Sequence, residues 1–267
     1  MGDIGTLPAG NKAGTETRAA ADVASDLGSK LDLDSAIDFL RHWCVATGLP
    51  HVTLTAIDPD GPPNQALPTR TFERTSLDNA REWIAEHQRA NLYFQPNETR
   101  AECDKRPRKA DMVAAVCQHA DVDPVDRKGY GAERNRLHNL ADALSETFEI
   151  APSCIIDSGN GIQPLWITTR EELTADTLIR RIEAENAAIG AELGADSTHH
   201  VDRLLRLPGT VNYPNRKKRE AGRGIPQAGV LRWNDGASYG LQDAAGLAGW
   251  IGAALVTKGL CSGVAQP

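Results

Sequence analysis

Residues 153–168 read SCIIDSGNGIQPLWIT, and this stretch indicates the fold more clearly than any other part of the 267-residue chain. Apolar runs lie on both sides of a Ser-Gly-Asn-Gly tetrapeptide at positions 158–161. Two short apolar runs separated by a turn of glycine and asparagine are typical of an antiparallel β-hairpin. We therefore predict strands over residues 153–157 and 162–168, with a tight turn between them.

Helices and strands alternate on both sides of this hairpin. Apolar spacing predicts a helix capped by Asp34 and Ser35, further helices over residues 76–88, 132–148 and 174–193 and from 241, and a helical turn over 110–116. Short apolar or alternating runs predict strands over residues 52–57, 69–74, 91–94, 116–123 and 230–233. Because helices and strands are interleaved, we expect an α/β or α+β fold of two layers.

The first 33 residues lack hydrophobic periodicity, so we expect a disordered leader there and an ordered domain from residue 34. The apolar stretch at 247–256 is much shorter than the roughly 20 residues of a membrane-spanning helix, and no secretory signal pattern is present. We therefore expect a cytoplasmic protein without a membrane partner. The five cysteines show no paired C-x-x-C spacing, which favours reduced thiols.

The formal net charge of −7 argues against a nucleic-acid partner, but a local reversal of charge lies within residues 203–223. Seven basic residues in this segment stand against the single acid Glu220. A basic stripe on an acidic protein is a typical footprint of nucleic-acid binding. A solvated basic loop would have the same composition, and composition leaves both interpretations open.

Two aspartates, Asp121 and Asp123, are the first candidates for catalysis. They alternate with apolar Ala120 and Val122, and residues two apart on a strand share a face. Such a pair can bridge two metal ions. A surface strand that ends in a polar turn would have the same sequence pattern. His119 lies on the same face, where it could be a ligand or simply a hydrogen-bonded histidine.

The hairpin turn and the segment 199–212 supply further candidates. The two glycines of the turn would let successive backbone N–H groups converge on a phosphate, although an ordinary hairpin uses the same residues. Asp202 and Arg206 are four residues apart and would share a face in a strand or a helix. The two side chains could bind a metal ion and the triphosphate that it neutralises. They could equally form a structural ion pair before a Pro-Gly turn.

Taken in order, these segments resemble the motifs of the archaeo-eukaryotic primase superfamily, in particular the RepB-like primase-polymerase domains of plasmids, phages and mobile elements. Residues 91–94 (NLYF) resemble the strand before motif I, and residues 120–124 (ADVDP) resemble motif I itself. Residues 158–163 (SGNGIQ) resemble motif II, and residues 201–212 (VDRLLRLPGTVN) resemble motif III with its extension. The resemblance covers about residues 91–235, and its last motif is the most specific.

The resemblance implies a primase fold, in which an RRM-like catalytic subdomain packs beside a smaller N-terminal α/β part. The corresponding division of the chain is a leader over 1–33, a catalytic domain over 34–250 and a tail over 251–267. Within the catalytic domain, the N-terminal part would cover 34–110 and the RRM-like part 111–250.

The resemblance also implies an activity, namely template-directed nucleotidyl transfer from nucleoside triphosphates to DNA with two Mg²⁺ or Mn²⁺ ions. The metal ligands would be Asp121, Asp123 and Asp202. The nucleotide would contact Ser158, Gly159, Asn160, Gly161, Gln163, Arg203 and Arg206, and the template would contact Arg216, Lys217, Lys218 and Arg219. A DNA template or primer and nucleoside triphosphates are the expected partners, with a helicase or other replication protein as a further candidate.

One position departs from the family pattern. Many members end motif II with a histidine that contacts the incoming nucleotide, whereas this chain has Gln163. Glutamine donates a hydrogen bond but carries no charge. The departure favours a first alternative, a non-catalytic replication initiator or DNA-binding module. A second alternative is a metal-dependent nuclease or phosphohydrolase, with the candidate ligands His119, Asp121, Asp123, His200 and Asp202.

Overall fold

The structure, a computed structural model, describes residues 30–62, 65–125, 129–147, 150–195, 197–220 and 222–260, with the backbone alone for 241–245. The predicted leader lies outside the described residues except for residues 30–33, and so do residues 261–267 of the predicted tail.

Within these ranges the chain forms six α-helices and nine strands. The helices are α1 Leu33–Thr47, α2 Asp78–Glu86, α3 Tyr130–Ser145, α4 Asp176–Leu193, α5 Arg216–Glu220 and α6 Leu241–Thr257. The strands are β1 His51–Ile57, β2 Thr69–Glu73, β3 Asn91–Phe94, β4 Glu98–Thr99, β5 Met112–His119, β6 Cys154–Asp157, β7 Ile162–Glu172, β8 Leu205–Arg206 and β9 Gly229–Trp233.

The first sheet has the strand order β2-β1-β3-β8, and all its neighbours are antiparallel. Its apolar side chains pack with helices α1 and α2 into a core that includes Trp43, Leu54 and Phe94. Helix α1 starts where the side chain of Asp32 accepts a hydrogen bond from the Ser35 N–H at 3.0 Å. The N-cap is therefore Asp32 and not the predicted Asp34, because it is the Asp32 carboxylate that reaches a free N–H of the first turn.

The second sheet has the strand order β4-β5-β7-β6-β9 and is also antiparallel. Helices α3, α4 and α6 supply Leu137, Ile189 and Ile251 to its core, which is completed by sheet residues such as Ile162 and Trp166. The predicted hairpin forms its centre, with Ile156 opposite Gln163 and Asp157 opposite Ile162. The turn is closed by a hydrogen bond of 2.9 Å from the Ser158 N–H to the Gly161 carbonyl.

The predicted mixed α/β fold is confirmed, with several local differences. The strand predicted over 116–123 runs from Met112 to His119, and the helical turn predicted before it is only the 3₁₀ turn Lys109–Asp111. Strand β8 and helix α5 fall in a segment for which the sequence predicted neither. Each sheet also contains one strand from the other side of residue 110. Strand β8 completes the first sheet, and strand β4 completes the second. The division of the chain at that residue stays a prediction.

The described helices include none that is long and apolar enough to cross a bilayer.

Candidate functional site

The two aspartates of motif I lie just beyond the end of β5. Strand pairing continues past this end, because the Val122 N–H and carbonyl bond to Ile162 of β7 at 2.9 and 3.0 Å. Side chains alternate along paired backbone, so Asp121 and Asp123 project from the same face, as the sequence predicted. Asp121 is 8% exposed, whereas Asp123 is open to solvent.

Gly161 lies against this acidic pair. A Cβ atom placed on Gly161 would come within 2.3 Å of the Val122 carbonyl oxygen and 2.9 Å of the Asp123 Oδ1 atom. Any larger residue would therefore push the turn away from Asp123. The glycine is needed here for close backbone approach.

The turn over residues 158–161 uses most of its own N–H groups. The amide of Ser158 binds the Gly161 carbonyl, the amide of Gly159 binds Asp157 Oδ1 at 2.7 Å, and the amide of Gly161 binds Ser158 Oγ at 3.0 Å. A phosphate cradle needs N–H groups that point outward together. The geometry therefore matches the hairpin alternative, and the turn acts as a rigid support for its neighbours.

Helix α3 fixes this turn from outside. The hydroxyl of Tyr130 donates to the Gly159 carbonyl at 3.1 Å, and the Arg134 guanidinium donates to the Asn160 carbonyl at 3.0 Å. Arg134 also forms an ion pair with Asp157. Both residues were missed from the sequence, because the predicted helix began at residue 132 and so left Tyr130 outside the face that it shares with Arg134 in α3.

The Asp121 carboxylate is held by two side chains. Its Oδ1 atom accepts a hydrogen bond of 3.0 Å from the Gln163 amide, and its Oδ2 atom lies 2.9 Å from Arg203. Gln163 in turn accepts a bond of 3.0 Å from the Arg206 N–H. Gln163 thus joins the acidic pair on the second sheet to strand β8 on the first.

Arg206 lies beneath the site, not within it. The residue is 5% exposed, and its guanidinium donates to Asn91 Oδ1, Tyr93 Oη and Asn212 Oδ1 at 2.8 to 2.9 Å. It also stacks over the Tyr93 ring at 4.3 Å from the centroid. Burial lowers its pKa, while Tyr93 and the carboxylates of Asp121 and Asp123 oppose that effect. The expected contact of Arg206 with a triphosphate is therefore not available in this arrangement.

Asp202, the expected third ligand, is half-buried in the turn that precedes Arg203. That turn is closed by a bond of 3.0 Å from the Arg203 N–H to the His200 carbonyl. In the described part of the chain, no three His, Cys, Asp or Glu side chains are grouped closely enough to hold one ion. The three aspartates therefore do not form a ready-made site, and the Arg203 guanidinium is the cation beside Asp121.

The donor chemistry nevertheless suits a divalent ion at the acidic pair. Carboxylate oxygens are the ligands that Mg²⁺ and Mn²⁺ prefer, and Asp121 and Asp123 present them from one face. The Arg203 side chain is 36% exposed, so it has room to turn outward. Asp121 and Asp123 can thus hold an ion when Arg203 leaves Asp121.

His119 is completely buried next to this pair. Its Nε2 atom lies 3.1 Å from the Thr198 carbonyl, which only accepts, so Nε2 carries the proton and Nδ1 is the acceptor. Nδ1 has no partner among the described residues. Burial lowers the pKa of the imidazole from 6.5 to about 4, which keeps it neutral near pH 7. His119 is therefore a buried neutral residue beneath Asp121.

The basic segment forms the short helix α5. Arg216 pairs with Glu220 at 2.8 Å, and Arg219 pairs with Asp60 of the β1–β2 connection at 2.7 Å. Arg219 lowers the pKa of the exposed Asp60 carboxyl, first through its hydrogen bond. Lys217 and Lys218 instead line a cleft of about 670 Å³ beside the acidic pair. Of the four expected template contacts, Arg219 tethers the helix to Asp60, Arg216 pairs within the helix, and Lys217 and Lys218 line the cleft.

The fold resembles that of primase catalytic domains. The primase RepB′ shares 12% identity over 84% of this chain and 64% of its own, with a TM-score of 0.47. The primase-polymerase (AEP) domain of cyanophage S-2L shares 14% identity over 74% of this chain and 90% of its own, with a TM-score of 0.46. The catalytic domain of primase RepB′ in complex with initiator DNA shares 13% identity over 86% and 100%, with a TM-score of 0.47.

The chain spans less than two thirds of the first RepB′ primase chain. No protein-family model matches the sequence, and no curated protein sequence matches it. At such low identities the likeness says nothing about the residues or the activity of this chain.

Proposed function

We propose that the chain is a nucleotidyltransferase that joins nucleotides along a DNA template with the help of divalent metal ions. The observation that supports this proposal is the acidic pair at the end of β5, which is presented on one face and closed in by Gly161. Asp121 and Asp123 are the proposed ligands of Mg²⁺ or Mn²⁺. Asp202 is proposed as a third ligand that approaches when the ions bind.

Asp121 and Asp123 would hold the divalent ions, which when bound would supply a lowered pKa of the attacking hydroxyl and charge stabilisation at phosphate oxygens. The chain's own residues orient and bind the reactants. Gln163 fixes the orientation of the Asp121 carboxylate, and the turn held by Arg134 and Tyr130 lies against Asp123 at Gly161. Arg203 is the proposed triphosphate contact, because its planar guanidinium matches phosphate oxygens once it leaves Asp121. Nucleoside triphosphates and a DNA template with its primer are the proposed substrates.

Primer extension on a DNA template with Mn²⁺ or Mg²⁺ tests this proposal. We expect Asp121→Ala and Asp123→Ala each to lower the rate by about 100-fold or more, since the ions contribute several kcal/mol to such reactions. Asp176→Ala is the matched control, because Asp176 is an exposed aspartate on the first turn of α4. Absence of product from the unaltered protein, or an Asp123→Ala protein as active as the control, would overturn the proposal.

One observation favours a second candidate, a DNA-binding module without catalysis. Asp121 already has Arg203 as its cation, and the described residues include no group of three metal ligands. On this alternative the unaltered protein would bind DNA and yield no extended product with either ion. Incubation of labelled DNA with metal but without nucleotides completes the test, because shortening of the strand would indicate a hydrolase instead.

A further inference from the structure

A cleft of about 670 Å³ opens beside the acidic pair. One wall is formed by Pro124, Val125 and Tyr130, and the other by Lys217, Lys218 and Arg223. Pro124 directly follows Asp123, and Tyr130 begins helix α3. The cleft thus has an apolar wall next to the proposed catalytic residues and a cationic wall facing it.

The apolar wall exposes side chains that proteins usually bury. Val125 is 46% exposed and Tyr130 is 43% exposed. The Tyr130 hydroxyl is bound to the Gly159 carbonyl, so the ring is anchored at its tip while its body remains open to the cleft. A fixed, exposed aromatic ring is a suitable surface for stacking a planar group, because stacking costs little additional ordering of the side chain.

The cationic wall defines the charge of the ligand. Lys217 and Lys218 project into the cleft from α5, whereas Arg216 and Arg219 of the same helix are engaged with Glu220 and Asp60. Ammonium groups opposite an aromatic ring suit a ligand that carries phosphates along one edge and flat bases along the other. In a duplex the bases are stacked on one another, so an unpaired strand fits better.

We infer that this cleft binds single-stranded DNA by stacking an unpaired base on Tyr130 while Lys217 and Lys218 contact its phosphates. The inference rests on the proposed function, since a template must be held unpaired beside the residues that extend its partner. The inference adds Tyr130 as a stacking residue and assigns Lys217 and Lys218 to the phosphates of the unpaired DNA strand. Tyr130 then has two separable roles, because its hydroxyl supports the turn and its ring binds the base.

Fluorescence anisotropy with a labelled oligothymidylate of roughly 12 nucleotides tests the inference without metal or nucleotides. We expect Tyr130→Leu to weaken binding by about tenfold through loss of stacking. Tyr130→Phe keeps the ring and should bind within about twofold of the unaltered protein, which also controls for the lost hydroxyl. A duplex of the same length should bind more weakly than the single strand.

The salt dependence of oligonucleotide binding distinguishes the contribution of the two lysines from that of Tyr130. Lys217→Ala combined with Lys218→Ala should lower the slope of log Kd against log salt by about 1.4, at about 0.7 for each phosphate contact in a single strand. Tyr130→Leu should leave that slope unchanged, and so should the charge-matched control Arg180→Ala with Arg181→Ala on α4. Equal binding by Tyr130→Leu and the unaltered protein, preference for the duplex, or equal competition by inorganic polyphosphate would overturn the inference.

The outcome is independent of the test of the proposed function. The protein with Asp121→Asn and Asp123→Asn should still bind the oligonucleotide, because neither aspartate lines the cleft. Extension activity together with unaltered binding by Tyr130→Leu would overturn only this inference. Binding that depends on Tyr130, in a protein that extends no primer, would overturn only the proposed catalysis.

Discussion

Gln163 uses both halves of its side-chain amide at the candidate site. Its amide donates to Asp121 and accepts from the Arg206 N–H, so both halves of the group are used. A neutral histidine, the residue that the sequence resemblance leads one to expect at this position, also offers one donor and one acceptor. The glutamine therefore keeps this bonding pattern but cannot gain a positive charge. Arg203 is the cationic group beside Asp121 in this chain.

His119 is the residue for which we predict a pH effect on stability. Its pKa is lowered from 6.5 to about 4 by burial, so between these values the unfolded chain takes up a proton that the folded chain does not. Stability is therefore lost as the pH falls through this window, by about 1.4 kcal/mol per pH unit. His119→Gln keeps a donor for the Thr198 carbonyl and cannot titrate. Urea unfolding at pH 7 and pH 5 should show a smaller loss for this variant, and an identical loss would contradict the prediction.

At the scale of elements, two glycines in or near the site make a matched pair. Gly161→Ala should lower the free energy of unfolding by about 2 kcal/mol or more, because its Cβ atom would meet the Val122 carbonyl at 2.3 Å. Gly131→Ala should raise it by about 0.5 to 1 kcal/mol, because Gly131 lies in helix α3 with nothing within 4 Å of the added atom. Denaturant titration of both variants checks the opposite signs. Equal changes in unfolding free energy for the two variants would show that the turn can shift to accommodate a Cβ atom at residue 161.

The main elements could be predicted from the sequence because their patterns are local. The hairpin 153–168 and the long helices have apolar periods that hold over many residues. Strands β4 and β8 have two residues each, too few for any period, and exist only because a neighbouring strand pairs with them. The positions of Asp121 and Asp123 on one face followed from alternation. The contact of Asp121 with Arg203 did not, because it joins residues 82 apart in sequence.

At the scale of the whole molecule, Arg206 connects the two sheets. Its side chain binds Asn91 and Tyr93 of β3, and its backbone binds Gln163 of β7. Arg206→Leu keeps the backbone bond to Gln163 but should lower the free energy of unfolding by about 3 kcal/mol or more, since the buried acceptors of the side chain would lose their donor. Arg206→Lys should recover only part of this loss, because one ammonium group cannot reproduce the guanidinium geometry.

The control for this prediction is Arg232→Leu, which removes an arginine from an exposed pair with Asp142. Its effect should stay within about 0.5 kcal/mol, because exposed ion pairs contribute little to stability. Urea unfolding of the three variants measures the differences. A loss for Arg206→Leu no larger than that for Arg232→Leu would show that the buried side-chain hydrogen bonds of Arg206 contribute little to stability.

Strand β8 has a consequence for the order of folding events. It pairs with β3 across more than 110 residues of chain, as the 113-residue separation of Arg206 from Tyr93 shows. Closing so long a loop is entropically costly, and the pairing gains little until both partners are already in place. The proposed catalytic centre should thus assemble late in refolding, and a fragment that stops short of residue 203 should leave Asp121 without its arginine.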